Sequence, residues 1–154
     1  MFRVDETDKE ILELLQTNSK ITYREIGEKL HMAASIIHHR VKKLEKNGVI
    51  KSYTINIDPF KVGHGTIALL GLSVDPLKMK QVVEKLTKFE QIQLVVTTSG
   101  DHDIVVQIVS KNDKDLWRFI NQHIKTIDGI RSNIDVSSFI DIAKMTNYVN
   151  IRIE

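Results

Sequence analysis

Between Lys29 and Tyr53 the chain places six basic residues, Lys29, Arg40, Lys42, Lys43, Lys46 and Lys51, against a single acid, Glu45. His31, His38 and His39 fall in the same stretch. Lysine ammonium groups attract phosphates, whereas serine and histidine carry the donors and acceptors that meet base edges. Ser35, His38, His39, Lys42, Lys43 and Lys46 therefore point to duplex nucleic acid, provided one helix face presents them. A basic block without such a face is a solvated surface and nothing more. The adjacent pair His38-His39 makes a poor metal site, because neighbouring helical residues point about 100° apart. A second run, Gly100-Asp101-His102-Asp103, sets an imidazole between two carboxylates. Read by itself it is a hairpin turn whose aspartates supply geometry and solubility.

The elements that must carry these residues follow from periodicity. Asp5-Glu6-Thr7-Asp8 caps a first helix with Ile11, Leu12, Leu14 and Leu15 inward, ended at Asn18-Ser19. Thr22-Tyr23-Arg24-Glu25 matches a capping box opening a second helix that runs to Leu30. The break at His31-Met32 is short enough only for a turn between steeply crossing helices. A third helix then runs from about Ala33 to Asn47, with Gly48 at its C-terminal cap. On it Ile37, Val41 and Leu44 make one buried stripe, and Ser35, His38, His39, Lys42, Lys43 and Lys46 spread over the opposite side. Arg40 sits at the edge of that stripe, where pairing with an acid of an earlier helix and contact with DNA are both open to it. Ile50–Ile57 alternates like a strand and predicts a wing carrying Lys51 and Tyr53. Pro59 ends it, and Gly63-His64-Gly65 is the best joint in the chain.

The second half repeats a strand–helix pattern. Thr66–Val74 is an apolar strand, followed by Asp75-Pro76, a cap with proline in the first helical position. The next helix turns Met79, Val82, Val83 and Leu86 inward. Ile92–Ser99 and Ile104–Val109 are strands on either side of the Gly100–Asp103 turn. A helix opened by Asn112-Asp113 turns Leu116, Trp117, Ile120, Ile124 and Ile127 inward, and Ile130–Phe139 and Tyr148–Ile153 close the pattern as strands. The order βαββαβ predicts a ferredoxin-like antiparallel sheet with both helices on one face. Its bare face calls for a second subunit.

At 154 residues, 42% apolar and 27% charged, the chain has ordinary globular composition. No apolar run reaches the ~18–20 residues of a membrane span, and the N-terminus has no apolar signal core, so the expected location is the cytoplasm, without membrane association. The absence of cysteine excludes disulfides, thiolate metal sites and cysteine nucleophiles.

Taken in order, the residues resemble the Lrp/AsnC family of leucine-responsive, or feast/famine, transcriptional regulators. The resemblance rests on Asp5, Asp8, Ile11, Leu12 and Leu15 in helix one, and on Arg40-Val41, Leu44-Glu45 and Gly48-Val49-Ile50 closing helix three. It continues through Tyr53, Asp58-Pro59, Gly63 and the Gly100-Asp101-His102-Asp103 loop. It implies an α+β fold, with an N-terminal winged helix-turn-helix over residues 1–62 and a C-terminal ferredoxin-like domain over 63–154 for oligomerisation and effector binding. It implies a sequence-specific regulator that is not an enzyme, has no catalytic residue, metal or cofactor, and binds a near-palindromic operator in double-stranded DNA. The expected DNA contacts are Thr22, Tyr23, Ala34, Ser35, His38, His39, Arg40, Lys42, Lys43, Lys46 and Lys51. Homodimers would assemble into tetramers or octamers. A small effector, typically an amino acid, would lie where dimers meet, at Gly100, Asp101, His102 and Asp103. Two positions depart from the family pattern: Ala33 replaces the usual capping residue of helix three, and His102 replaces the loop's usual aromatic. The siroheme decarboxylases share this two-part architecture, and a tetrapyrrole enzyme using His64, His102 and His123 is the alternative.

Overall fold

The computed structural model describes residues 2–152. The chain divides into two compact units: one runs to Ile55 and includes the segment from Met145 onward, the other is Asn56–Lys144. The segment from Met145, expected in the C-terminal domain, thus belongs to the N-terminal unit.

That first unit contains α1 (Glu6–Thr17), α2 (Tyr23–Leu30) and α3 (Ala34–Lys46). Asp5 and Asp8 form a reciprocal capping box at α1, and Thr22 and Glu25 form another at α2. The apolar stripes converge in a core of Ile11, Leu15, Ile26, Ile37 and Val41. The α2–α3 turn depends on two unusual backbone positions. His31 ends α2 in the left-handed region (φ 55°, ψ 44°), and Gly27 is buried where a Cβ would run into the carbonyl oxygen of Met32. The Met32 amide donates to the Gly27 carbonyl at 2.8 Å. Gly48, with φ +69°, ends α3, and the Val49 amide folds back on the Leu44 carbonyl at 3.0 Å.

The expected strand over Ile50–Ile57 does not form: these residues join no ladder, and Tyr53, Ile55 and Ile57 stand exposed. A strand needs a partner for its backbone groups, and none of the described segments supplies one. The expected strand at Tyr148–Ile153 is also missing from residues 148–152, Ile153 lying outside the described residues. Instead the Gln16 side chain takes both backbone groups of Val149, at 2.8 and 3.1 Å. Arg152 donates to both Glu13 oxygens at 2.8 and 3.0 Å.

In the second unit β1 (Thr66–Val74), β2 (Ile92–Thr97), β3 (Ile104–Ser110) and β4 (Ile130–Ser138) form one antiparallel sheet in the order β2-β3-β1-β4. This is the ferredoxin-like arrangement. Helices α4 (Met79–Leu86) and α5 (Asp113–Phe119) pack Val82, Leu86 and Leu116 against Ala68, Leu70, Leu72, Ile104, Val106 and Ile108. A π turn at Ile120–Ile124 follows α5, with the Lys125 amide on the Ile120 carbonyl at 2.9 Å. Leu116, Ile120 and Ile124 recur every fourth residue. That spacing drifts around an α-helix, and the wider turn returns it to the core line. Trp117, expected to point inward, is instead half exposed, because it lies about 100° round the helix from Leu116.

Candidate nucleic-acid interface and effector loop

Helix α3 divides by angle. Ile37, Val41 and Leu44 are fully buried, while Ala34, Ser35, His38, His39, Lys42, Lys43 and Lys46 are exposed. Burial of one stripe fixes the direction in which the polar face points. Tyr23, at the start of α2, packs its ring on His38 with centroids 5.2 Å apart, so α2 braces one imidazole of that face. Thr22 is exposed, but its hydroxyl and amide already serve the α2 capping box with Glu25. Those bonds from Thr22 hold the Glu25 carboxyl below its usual range.

The basic residues are not equivalent. Lys42 lies 2.8 Å from Glu45, and this hydrogen bond raises the ammonium pKa while lowering that of the carboxyl. Lys43 sits over the Phe2 ring at 5.0 Å. Both ammonium groups belong to exposed residues, where such pairings hold them only weakly. Lys46 and Lys51 are exposed, and neither forms an ion pair among the described residues. Tyr53 donates to Glu45 at 3.0 Å; partial burial of its hydroxyl and this bond push the phenol up to about 12, although half the residue is exposed.

Arg40, expected among the DNA contacts, is taken by the other course open to it. Its Nη1 donates to Asp5 Oδ2 at 2.7 Å and to Asp8 Oδ1 at 2.8 Å. Asp8 is nearly closed to water, and a buried carboxylate needs such a partner. The Arg40 contact, then the Asp8 amide, hold the Asp5 carboxyl below its ordinary value, and the two acids raise that of the guanidinium. Arg40 thus locks α3 to the start of α1 through its Nη1.

The third helix also differs at its start. Its N-cap is Ala33, which makes no side-chain hydrogen bond, and its first turn holds no acid. The departure at Ala33 therefore leaves the cap without a side-chain hydrogen bond.

In the second unit the Gly100–Asp103 turn joins β2 to β3. Asp103 ties this turn to β1. Its Oδ2 accepts the Val74 amide at 2.7 Å, and its own amide donates to the Leu72 carbonyl at 3.0 Å. Asp101 and Gly100 are exposed. The Thr98 hydroxyl donates to the His102 carbonyl. The His102 ring lies across Gly71 of β1, where a side chain would occupy the same space, and its Nε2 lies 3.4 Å from Asp135 Oδ2 of β4. Neither Gly71 nor Asp135 is among the residues expected at this loop from the sequence. A glycine inside an apolar strand does signal close approach of another group, whereas no local pattern marks Asp135. His123 packs against Phe119 and Phe89 instead, and His64 is exposed in the first turn after Pro59. Among the described residues no three His, Asp or Glu side chains are placed to hold a metal ion, and no helix is long and apolar enough to cross a membrane.

Two family models match this chain. Residues 4–51 match a winged helix-turn-helix DNA-binding model, and residues 67–148 match the Lrp/AsnC ligand-binding domain. An uncharacterised HTH-type transcriptional regulator of Pyrococcus horikoshii is 39% identical over 129 residues, covering 84% of this chain and 82% of the relative. The regulator LrpA of the same organism is 38% identical over 127 residues, covering 82% and 90%. Among solved structures, a transcriptional regulator of Neisseria meningitidis in complex with L-Met shares the fold. Its TM-score is 0.90 at 21% identity, and 97% of this chain and 98% of that one are covered. With a helix-turn-helix match in the first half, a ligand-binding-domain match in the second and relatives that span both, the chain belongs to the Lrp/AsnC family of transcriptional regulators.

Proposed function

We propose that this regulator binds near-palindromic duplex DNA in the cytoplasm as a homodimer, one α3 in each of two major grooves, and that an amino acid held at the Gly100–Asp103 loop modulates it. It acts by binding and carries out no catalysis. The observation that carries the reading is α3 itself: one fully buried stripe, Ile37, Val41 and Leu44, aims Ser35, His38, His39 and Lys46 outward. Bases are met by Ser35 and His39, and phosphates by Lys42, Lys43, Lys46 and Lys51. Ala34 and Tyr23 border the same surface.

Pairing is supported by the open face of the sheet. The register sets Leu69, Leu94, Val96 and Val105 on the side away from α4 and α5, and Leu94 and Val96 are exposed. A second copy covers such a face, and dimers then join into larger assemblies. The effector reading is supported by the ligand-binding description of the family model over residues 67–148 and by the L-Met held by the Neisseria neighbour. Asp101, exposed and with no side-chain hydrogen bond among the described residues, is the carboxylate for an effector ammonium; Gly100 supplies a backbone amide and His102 the ring beside them.

The test is selection of bound duplexes from a random pool, with and without a panel of amino acids, followed by sedimentation of the free protein and its complex. The expected result is an enriched sequence with two related half-sites one turn, ~10 bp, apart or a multiple of that. Uniform recovery of all sequences refutes specific reading. An unchanged spectrum and assembly state with every amino acid at millimolar concentration refutes the effector.

A further inference from the structure

Resting on the reading of α3 as the DNA-reading helix, we propose that Ile36 reads a thymine C5-methyl group, one per half-site. Each helix of the first unit has the same two slots at its start, the N-cap and the third helical position. In α1 they hold Asp5 and Asp8, and in α2 Thr22 and Glu25, and each pair closes a complete capping box. In α3 they hold Ala33 and Ile36, which cap nothing. A carboxylate in that slot favours a helix and its dipole, so a branched hydrocarbon there works against local stability. Sites that break a local rule in this way are expected where a ligand must be met.

Ile36 has no compensating role in the core. It is 46% exposed, whereas its neighbour Ile37 is wholly buried, and the first unit's core cluster does not include it. It lines a shallow cleft with Ser35, His39 and Lys43. The acid of that cleft, Asp5, is held by Arg40 at 2.7 Å, leaving little negative charge to oppose a phosphate backbone. The first turn of a recognition helix is the part that approaches base edges. In the major groove the one apolar group presented by a base is the thymine methyl. An exposed isoleucine that shares its cleft with Ser35 and His39 fits that group and no hydrogen-bonding edge.

The experiment uses the full chain and the duplex enriched by selection. Each thymine is replaced in turn by deoxyuridine, which keeps every hydrogen bond and removes only the methyl group. At one symmetry-related thymine pair the native protein should lose about four-fold in affinity per methyl, matching the ~0.8 kcal/mol of one buried methyl-sized group. Ile36→Ala should bind the thymine duplex about as weakly as the native protein binds the deoxyuridine duplex, and should no longer distinguish the two. Ile36→Val should retain most of the discrimination. Circular dichroism checks the fold of each variant, and alanine at an exposed helical position favours it. If a sequence is enriched and no thymine-to-deoxyuridine change matters, the proposal is overturned while α3 remains the reading helix. It is equally overturned if Ile36→Ala discriminates as the native protein does. If no sequence is enriched at all, the reading of α3 itself fails and takes this proposal with it.

Discussion

Arg40 and Asp103 are polar residues that hold the structure together, and each makes a measurable claim. Removing the guanidinium leaves Asp8, nearly closed to water, without its partner at 2.8 Å. Arg40→Ala should therefore cost ~1–3 kcal/mol in urea unfolding, while the slope of log K against log salt for DNA binding stays as it was. An unchanged midpoint would show that the pair is idle. The contribution also has a sign in pH. The folded Asp5 carboxyl lies below its unfolded value, so its stabilisation is complete above the ordinary carboxylate range, near pH 4, and is lost as pH falls through the folded value. The gap between native protein and Arg40→Ala should thus narrow in acid. In the other unit, Asp103→Ala deprives the Val74 amide of its acceptor and should lower stability by ~1–2 kcal/mol with no ligand present. Asp101→Ala should leave stability within about 0.5 kcal/mol and weaken effector binding in calorimetry. Equal ligand affinity of native protein and Asp101→Ala moves the effector site away from this loop.

Elements are positioned here by contacts that differ sharply in tolerance. The α2–α3 turn allows no side chain at Gly27, because the Met32 carbonyl stands in its place. Gly27→Ala should destabilise by roughly 2 kcal/mol or more, through backbone displacement rather than lost contact; a native midpoint in urea would show that the turn is softer than its geometry. The start of α3 is the opposite case. Ala33 makes no cap bond, and Ala33→Ser should stabilise by ~0.5–1 kcal/mol by supplying one. No gain in melting temperature would mean that the empty cap is already satisfied. The stretch Ile50–Ile57 has strand composition without a strand; Tyr53, Ile55 and Ile57 are exposed, and the Tyr53 hydroxyl meets Glu45 at 3.0 Å.

At the scale of the whole molecule, DNA affinity is expected to come from two reading helices acting together. A fragment of residues 1–62 loses the domain proposed to pair the subunits. It also loses the segment that binds Gln16 and Glu13 through Val149 and Arg152. It should bind the selected duplex at least ~100-fold more weakly, since linking two sites multiplies affinity by about 10²–10⁴. Its unfolding midpoint should fall as well. A fragment that bound as tightly as the full chain would mean that one helix suffices.

The sequence by itself determined the elements whose signals are local. The cap at Asp5-Glu6-Thr7-Asp8, the capping box Thr22/Glu25, the stripe Ile37, Val41 and Leu44, the Asp75-Pro76 start and the order βαββαβ are each written in local patterns, because caps and helix and strand periods are local properties. The empty cap at Ala33 was legible for the same reason. Tertiary structure decided what depends on residues far apart in the chain. Arg40 could serve DNA or an acid until folding set Asp5 and Asp8 beside it. His102 found Gly71 and Asp135 only because β1, β3 and β4 are neighbours in one sheet. Ile50–Ile57 and Tyr148–Arg152 look alike as alternating apolar runs, yet neither forms a strand. Alternation records which side chains seek burial, and a strand exists only where another backbone answers its hydrogen bonds.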